Sequence, residues 1–153
     1  MCCEEICQAF GANDECCREN VLRAQEDGKK FILQLPADST DTICCIHVDD
    51  CLIQDKNQRK CDYWFRVCRT DGHLNYFVEF KGSDIEYGFE QIVATIAQVR
   101  QKGILLPKES IHGIIVANHV PMSAPQIQVL KDRFKKHYGA SFQPKSKRFD
   151  LTI

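Results

Sequence analysis

The stretch 74–103 carries the strongest folding signal in this chain of 153 residues. Side chains alternate between two faces over Tyr76–Lys81, which is the periodicity of a β-strand. Glu79 and Lys81 therefore project from the same face of a strand that is otherwise aromatic and apolar. The turn-forming pair Gly82-Ser83 then ends the strand. The pattern predicts a strand that presents a carboxylate and an ammonium group side by side.

An amphipathic helix is predicted directly after this strand. Ser83 or Asp84 can cap its first turn, and Gly103 can end it. Gln91 and Thr95 lie on one flank of the apolar stripe. The side chains of the stripe recur at the spacing of one helical face, and they are Ile85, Phe89, Ile92, Val93, Ile96 and Val99.

Further strands are predicted on both sides of this unit. Thr42–Ile53, bent near Asp49-Asp50, and Cys61–Arg69 are rich in residues that favour strands, and the polar run Asp55–Lys60 can form the turn between them. Together with the strand at 74–81 they predict an antiparallel meander. Ile111–Ala117 is a continuous apolar run, which is typical of a strand buried on both faces.

The two ends of the chain add simpler elements. A first helix is predicted from Asn13 or Asp14 to Gly28, with Glu19 in its middle. A short strand follows over 30–35. A second amphipathic helix is predicted over 123–138, and the alternating run 147–153 predicts a final edge strand. The length favours one domain covering 1–153.

Asp62 at the start of one strand, followed by Glu79 and Lys81 on the next, resembles the motif of the PD-(D/E)xK nuclease superfamily. The order helix, three strands, helix, strand resembles the αβββαβ core of its restriction-endonuclease-like fold. The resemblance implies an α/β fold, with a central mixed sheet flanked by helices over about 13–119. The segment 123–153 would then be a C-terminal extension of that core.

The resemblance also implies a chemistry, the hydrolysis of phosphodiester bonds with Mg²⁺ or Mn²⁺. Asp62, Glu79 and the backbone carbonyl of Phe80 would hold the metal, since oxygen ligands suit this hard cation. Lys81 would be the catalytic lysine. The expected activity is endonucleolytic cleavage of DNA, in restriction, repair or defence. Gln91 matches half of the Gln-x-x-x-Tyr motif of RecB-like nucleases, in which Thr95 takes the place of the tyrosine. The proline that often precedes the motif aspartate is absent, because that position is Cys61.

The net charge of −1 conceals a basic C-terminal region. A basic face is sufficient for binding a polyanion. Six of its seven bases after position 130 are predicted to bind nucleic acid, and they are Lys131, Lys135, Lys136, Lys145, Lys147 and Arg148. Solvation of a C-terminal helix is the simpler alternative for these charges. A homodimer or a regulatory protein partner is the expected source of specificity and control.

The start of the chain, MCCEEICQAF, carries two acids where a secretion signal needs bases and a long apolar run. No apolar run approaches the roughly 20 residues of a membrane helix. A cytoplasmic protein without a membrane partner is therefore predicted. Its ten cysteines are expected to be reduced and to pack as small buried hydrophobes.

Two other functions compete with the nuclease. The same fold could be a catalytically inactive module that binds nucleic acid or protein through its basic face. The chain could instead be a cysteine-rich metal-binding regulator, because cysteine thiolates are common zinc ligands. That regulator would be organised around its first five cysteines, Cys2, Cys3, Cys7, Cys16 and Cys17.

Overall fold

The computed structural model describes residues 2–153 as a mixed α/β fold. Within that range the helices are α1 (Cys2–Phe10), α2 (Ile85–Gln101) and α3 (Ala124–His137). The strands are β1 (Cys17–Glu19), β2 (Arg23–Glu26), β3 (Lys29–Gln34), β4 (Thr42–His47), β5 (Tyr63–Cys68), β6 (Leu74–Lys81), β7 (Ile111–Ala117), β8 (Ser141–Ser146) and β9 (Arg148–Thr152).

Six strands form the main sheet in the order β1-β4-β5-β6-β7-β8. β4, β5 and β6 pair antiparallel, as the predicted meander requires. β7 pairs parallel to β6, and β8 pairs parallel to β7. Parallel neighbours need a crossover connection, which α2 and α3 provide. The sheet is therefore mixed, and β6 and β7 lie in its interior.

All three helices pack on one face of this sheet. Their buried side chains, such as Ile6 in α1 and Phe89 in α2, belong to one apolar cluster with Phe77 and Ile115 of the sheet. Phe134 of α3 completes it, with its ring 5.8 Å from that of Phe89. This helical layer forms one wall of the core and covers the sheet face from which Glu79 projects.

A second, three-stranded sheet covers the opposite face. Its order is β2-β3-β9, with β3 antiparallel to β2 and parallel to β9. Phe31 of β3 lies 5.2 Å from Phe65 of β5, ring centre to ring centre, in a cluster that includes Val78 and Phe80. The prediction that helices flank the central sheet is thus correct for one face. In the described residues 2–153, the other face is covered by the three-stranded sheet.

The predicted first helix at 13–28 is wrong. Asn13 caps a single 3-10 turn, and the chain continues as β1 and β2. Asp27 and Gly28 both have positive φ and form the two-residue loop between β2 and β3. An Asp-Gly pair favours this kind of hairpin turn. Glu19 consequently lies exposed on the edge strand β1.

The C-terminal segment is more integral than an extension of the core. β8 was not predicted, and it extends the main sheet beside β7. β9 has nearly the predicted bounds, but it lies at the edge of the second sheet. Phe134 and Phe142 are fully buried in the helical face of the core. Residues 123–153 therefore contribute to both sheets and to the packing.

The central elements follow the sequence closely. β6 and β7 have the predicted bounds, and β4 ends earlier than expected, at His47. Asp84 caps α2 by accepting a hydrogen bond from the Tyr87 backbone N–H at 3.1 Å. Ser123 forms a capping box with Gln126 at the start of α3. Within residues 2–153, no helix has both the length and the apolar character needed to traverse a bilayer.

The expectation of ten reduced cysteines is wrong for eight of them. Within residues 2–153, only Cys45 and Cys61 are free, and both are buried. The other eight form disulfides that tie α1 and the following turn to the main sheet and to the loop after β4. These pairs are Cys2–Cys68, Cys3–Cys44, Cys7–Cys17 and Cys16–Cys51.

Candidate active site

The candidate site begins where β5 and β6 separate. Their ladder ends with the pair Tyr63 and Val78, and beyond it β6 continues without β5. The Phe80 N–H points into this gap and donates a hydrogen bond to Oδ2 of Asp62 at 2.9 Å. The Asp62 carboxylate thus replaces the missing ladder partner, and this bond fixes it against the end of β6.

The backbone carbonyl of Phe80 faces the same gap. In a strand the N–H and C=O groups of one residue point to the same side, and the next residue points to the other. The Lys81 carbonyl accepts a hydrogen bond from the Asn118 N–H at 3.1 Å, on the β7 side. The Phe80 carbonyl therefore points towards Asp62, as its predicted role as a ligand requires.

The Glu79 side chain projects from the face of β6 that α2 covers. It is 3% exposed, and the helix lies directly over it at Gly88. An added Cβ at Gly88 would lie 2.8 Å from Cδ1 of Ile115 and 3.2 Å from Cγ of Lys81. Only glycine allows this close approach. The α2 backbone at Gly88 therefore packs directly on the side chains of Glu79 and Lys81.

Burial and mutual repulsion control the charge of the two carboxylates. Burial, reinforced by the negative charge of Asp62, raises the pKa of Glu79 to about 9. Burial also raises the pKa of Asp62, while the Phe80 N–H and a hydrogen bond with Glu79 oppose that rise. The second oxygen of Glu79, Oε1, is buried and has no hydrogen-bond donor among residues 2–153. With a pKa of about 9, Glu79 is therefore the carboxyl group that keeps its proton at neutral pH.

The Lys81 ammonium group lies beside this pair. Its Nζ is 3.4 Å from Oε2 of Glu79 and 4.5 Å from the centre of the Tyr87 ring. The Glu79 carboxyl oxygen and an aromatic face together hold the cation in place. The structure thus brings Asp62, Glu79 and Lys81 together in one site, as the sequence predicted, while their catalytic roles stay a prediction.

Gln91 contacts the chain that leads into Asp62. Its Nε2 donates to the Lys60 carbonyl at 3.1 Å, and its Oε1 is buried without a donor among the described residues. One turn later, Oγ1 of Thr95 accepts from the Cys61 N–H at 2.8 Å. These two α2 side chains hold 60–61 against the helix, so we assign Gln91 a positioning role.

The donor set fits a hard divalent cation. Two carboxylates and a backbone carbonyl converge at the gap, and oxygen ligands of this kind bind Mg²⁺. The Glu79 oxygen without a donor is a ligand atom that no protein group satisfies. The charge of Asp49 also acts on Asp62 and helps to raise its pKa, which places this acid near the site.

The residues predicted to bind nucleic acid are divided between two ends of the sheet. Lys81 pairs with Ala117 and Ala117 with Ser146, so Lys145 and Lys147 lie at the same end as Lys81, about 10 Å across two strands. Arg148, next to them, is paired with Asp150. Lys131 lies within α3, and its neighbours Lys135 and Lys136 lie beyond it, towards the opposite end. The Lys136 carbonyl there accepts a hydrogen bond from Lys108, just before β7.

Sequence reasoning missed a basic loop beside the carboxylates. Lys56, Arg59 and Lys60 line a cavity of about 340 Å³ together with Asp49 and Gln91. Arg59 is exposed and lies 5.4 Å from the Tyr87 ring centre. The signal for this loop is the run DKNQRK just before Asp62, whose polar residues also predict a turn.

The cysteines predicted for a metal-binding regulator are all oxidised. The metal ligand is the thiolate, and each of the first five cysteines is in a disulfide. The sulfur atoms of Cys2 and Cys68 and a ring nitrogen of His73 lie within 4.8 Å of one another. Because Cys2 and Cys68 are bonded to each other, this group offers no pair of thiolates.

Comparison with protein-family models, with curated proteins and with solved structures gives no match to this chain. The geometry of the carboxylate pair and its surroundings is consequently the basis for a functional proposal.

Proposed function

We propose that this protein is a Mg²⁺- or Mn²⁺-dependent nuclease of the PD-(D/E)xK type that cuts DNA. One observation carries the proposal: the buried Glu79 interacts with the half-buried Asp62, and the Lys81 ammonium nitrogen lies 3.4 Å from Glu79. Burying two acids together raises their free energy unless a counter-charge is supplied. A divalent cation is the counter-charge that this arrangement of oxygen atoms favours.

Each residue has a distinct role in the proposed reaction. Asp62, Glu79 and the Phe80 carbonyl would hold the metal, and Glu79 would lose its proton on metal binding. A bound cation neutralises phosphate charge and supplies hydroxide at neutral pH. The Lys81 ammonium group would orient the attacking water and stabilise the charge that develops on the phosphate. Tyr87 keeps that ammonium group in position.

The basic groups around the site provide a path for a polyanion. The loop carrying Lys56 and Arg59 lies on one side of the carboxylates, and Lys145 and Lys147 lie at the same end of the sheet. Contacts of lysine and arginine with phosphates position a duplex without reading its sequence. A second copy of the chain or a protein partner would then supply specificity.

The chain order around the site also supports the proposal. β4, β5 and β6 form a meander, α2 crosses over, and β7 returns parallel to β6. This βββαβ order agrees with the one that the proposed restriction-endonuclease-like core would have. The proposal requires the acids of the motif at the end of the β5–β6 ladder, and Asp62 and Glu79 lie just beyond the last pair of that ladder.

The test is cleavage of linear and supercoiled plasmid with Mg²⁺ or Mn²⁺, comparing the native protein with Lys81→Met. Methionine keeps most of the stem that packs under Gly88 and removes the charge. Lys30→Met, on an exposed lysine of β3, is the matched control. We expect metal-dependent cutting by the native protein and the control, and a loss of at least about 100-fold in Lys81→Met.

Equal cutting by all three proteins would reject the proposed site. Absence of cutting in all of them, with either metal, would favour the catalytically inactive binding module. One contact fits that alternative as well, because the bond from the Phe80 N–H to Asp62 gives Asp62 a structural role.

A further inference from the structure

A second cavity lies at the other end of β5. It has a volume of about 560 Å³ and is bounded by α1, the turn between β5 and β6 and the segment that follows α2. Apolar side chains form one wall, among them Ile6, Ile104 and Leu105. Arg66 of β5 lines the same cavity. A cavity of this size and mixed lining is typical of a small-molecule site.

Arg66 is a buried cation that no carboxylate contacts directly among the described residues, although the charge of Glu5 acts on it. Only 6% of it is exposed, and its Nε has no hydrogen-bond partner among the described residues. Within the same range it forms no ion pair within 4.0 Å. Its contacts are the Trp64 ring, 5.7 Å away, and a long hydrogen bond of 3.5 Å to the Leu105 carbonyl. An unpaired buried charge is costly, so an anion bound here would relieve that cost.

The surrounding charges favour an anion further. Arg69 and Lys102 also line the cavity, and Glu5 is its one acidic lining residue. The Arg69 guanidinium is already paired with Asp41 at 2.9 Å, and the Arg69 backbone N–H donates to Nδ1 of His73. Among the described residues Arg66 and Lys102 are therefore the lining cations without an ion pair, and Arg66 is the buried one.

We propose that this cavity binds a small amphipathic oxyanion, with a phosphate or carboxylate head on the Arg66 guanidinium. The planar guanidinium fork matches the geometry of either head. The apolar body of the ligand would lie against Ile104 and the exposed side of Leu105. Leu105 is 77% exposed, and covering it would remove apolar surface from water.

This site is separate from the carboxylate pair. Asp62 and Arg66 are four residues apart on an extended chain, which corresponds to about 13 Å. The inference therefore does not depend on nuclease activity, and its test measures binding alone.

The test is calorimetric titration and thermal unfolding of the full chain with phenyl phosphate and with benzoate. Benzyl alcohol, which has the ring without the anion, is the ligand control. Arg66→Met removes the cation, and Leu105→Asp adds a repelling charge at an exposed position. Arg23→Met, at an exposed arginine of β2, is the matched control variant.

We expect at least one anion to bind and to raise the unfolding temperature, whereas benzyl alcohol does not. Both cavity variants should weaken binding by at least about tenfold, and Arg23→Met should leave it unchanged. Free Arg66→Met should unfold at the same temperature as the native protein or higher, because a buried charge is lost. The proposal is overturned if neither anion binds, or if Leu105→Asp, which should fold normally, binds as tightly as the native chain.

Discussion

Glu79 is the residue whose environment departs most from what its chemistry prefers. A glutamate is rarely buried without a partner, yet this one lies under a helix next to a second carboxylate. Its pKa of about 9 means that it folds as a neutral acid at pH 7. The proton removes the cost of a second negative charge beside Asp62, and a bound cation would take the place of that proton.

A pH-dependent loss of stability follows from this raised pKa. The folded chain keeps the Glu79 proton between its usual pKa of 4.5 and about 9, whereas the unfolded chain has released it. The contribution to stability is therefore complete below about 4.5 and is lost as the pH rises to about 9. Relative to Glu79→Gln, which imitates the neutral acid, the native protein should lose at most about 1.4 kcal/mol per pH unit. Urea unfolding at a series of pH values measures this difference.

Glu109→Gln, at an exposed glutamate, provides the control and should follow the native protein at every pH. Adding Mg²⁺ should restore stability at high pH in the native protein and not in Glu79→Gln. A constant difference between native protein and Glu79→Gln from pH 5 to 9 would show that Glu79 is ionised in the folded chain.

At the scale of elements, α2 does more than cover the sheet. Its Gly88 allows close packing on the Glu79 strand, and its Gln91 and Thr95 hold the chain before Asp62. One helix thus sets the positions of both carboxylates. The distance between them depends on side chains that touch neither.

Thr95→Val should reveal this dependence. Valine has the shape of threonine but leaves the buried Cys61 N–H without an acceptor, which costs about 1–3 kcal/mol. Thr95→Ser keeps the hydroxyl and should cost clearly less. Urea unfolding of the two variants checks which one loses more stability. Plasmid cleavage should fall in Thr95→Val, because the segment before Asp62 is no longer held against α2. Equal losses in both variants would mean that packing of the methyl group, not the hydrogen bond, matters at this position.

The elements that the sequence predicted are those whose pattern is strong and local. β6, β7, α2 and α3 follow from alternation, a continuous apolar run and helical stripes with clear caps. Between 13 and 28 two signals competed, because Gly28 suits a helix end as well as an Asp-Gly hairpin turn, and the hairpin forms. β8 contains Pro144 and has no alternating pattern, so it becomes a strand only through its pairing with β7.

The site shows the same division between local and long-range information. Asp62, Glu79 and Lys81 could be predicted because neighbouring strands of a meander bring them together. The cavity at Arg66 could not be predicted, because α1, β5 and the segment after α2 meet there only in the folded chain. The disulfides likewise join positions up to 66 residues apart.

At the scale of the whole molecule, the disulfides decide how the N-terminal region is held. In the part of the chain that the structure describes, three of the four bonds start in α1, and the fourth joins the 3-10 turn to Cys51. Persistent disulfides are typical of oxidising compartments. This pairing is difficult to combine with the predicted cytoplasmic location, which stays a prediction.

Thiol counting tests the oxidised state directly. Denatured without reductant, the protein should react with an alkylating reagent at two cysteines, Cys45 and Cys61, and after reduction at all ten. Peptide mass mapping identifies the pairs. Ten reactive thiols in protein purified without reductant would contradict the pairing and return the cysteines to the reduced state that the sequence suggested.

Reduction should also loosen one end of the molecule before the rest. α1 has nine residues, which is too short for a stable isolated helix, so the bonds to Cys68, Cys44 and Cys17 hold it in place. Loss of a native disulfide from a small domain costs about 2–5 kcal/mol. Amide hydrogen exchange after reduction should therefore rise first at 2–19, while β6 and β7, in the sheet interior, stay protected. Uniform loss of protection across the chain would mean that the disulfides stabilise the whole sheet. Unchanged exchange at 2–19 would mean that the apolar packing of α1, with Ile6 at its centre, holds the helix in place without disulfides.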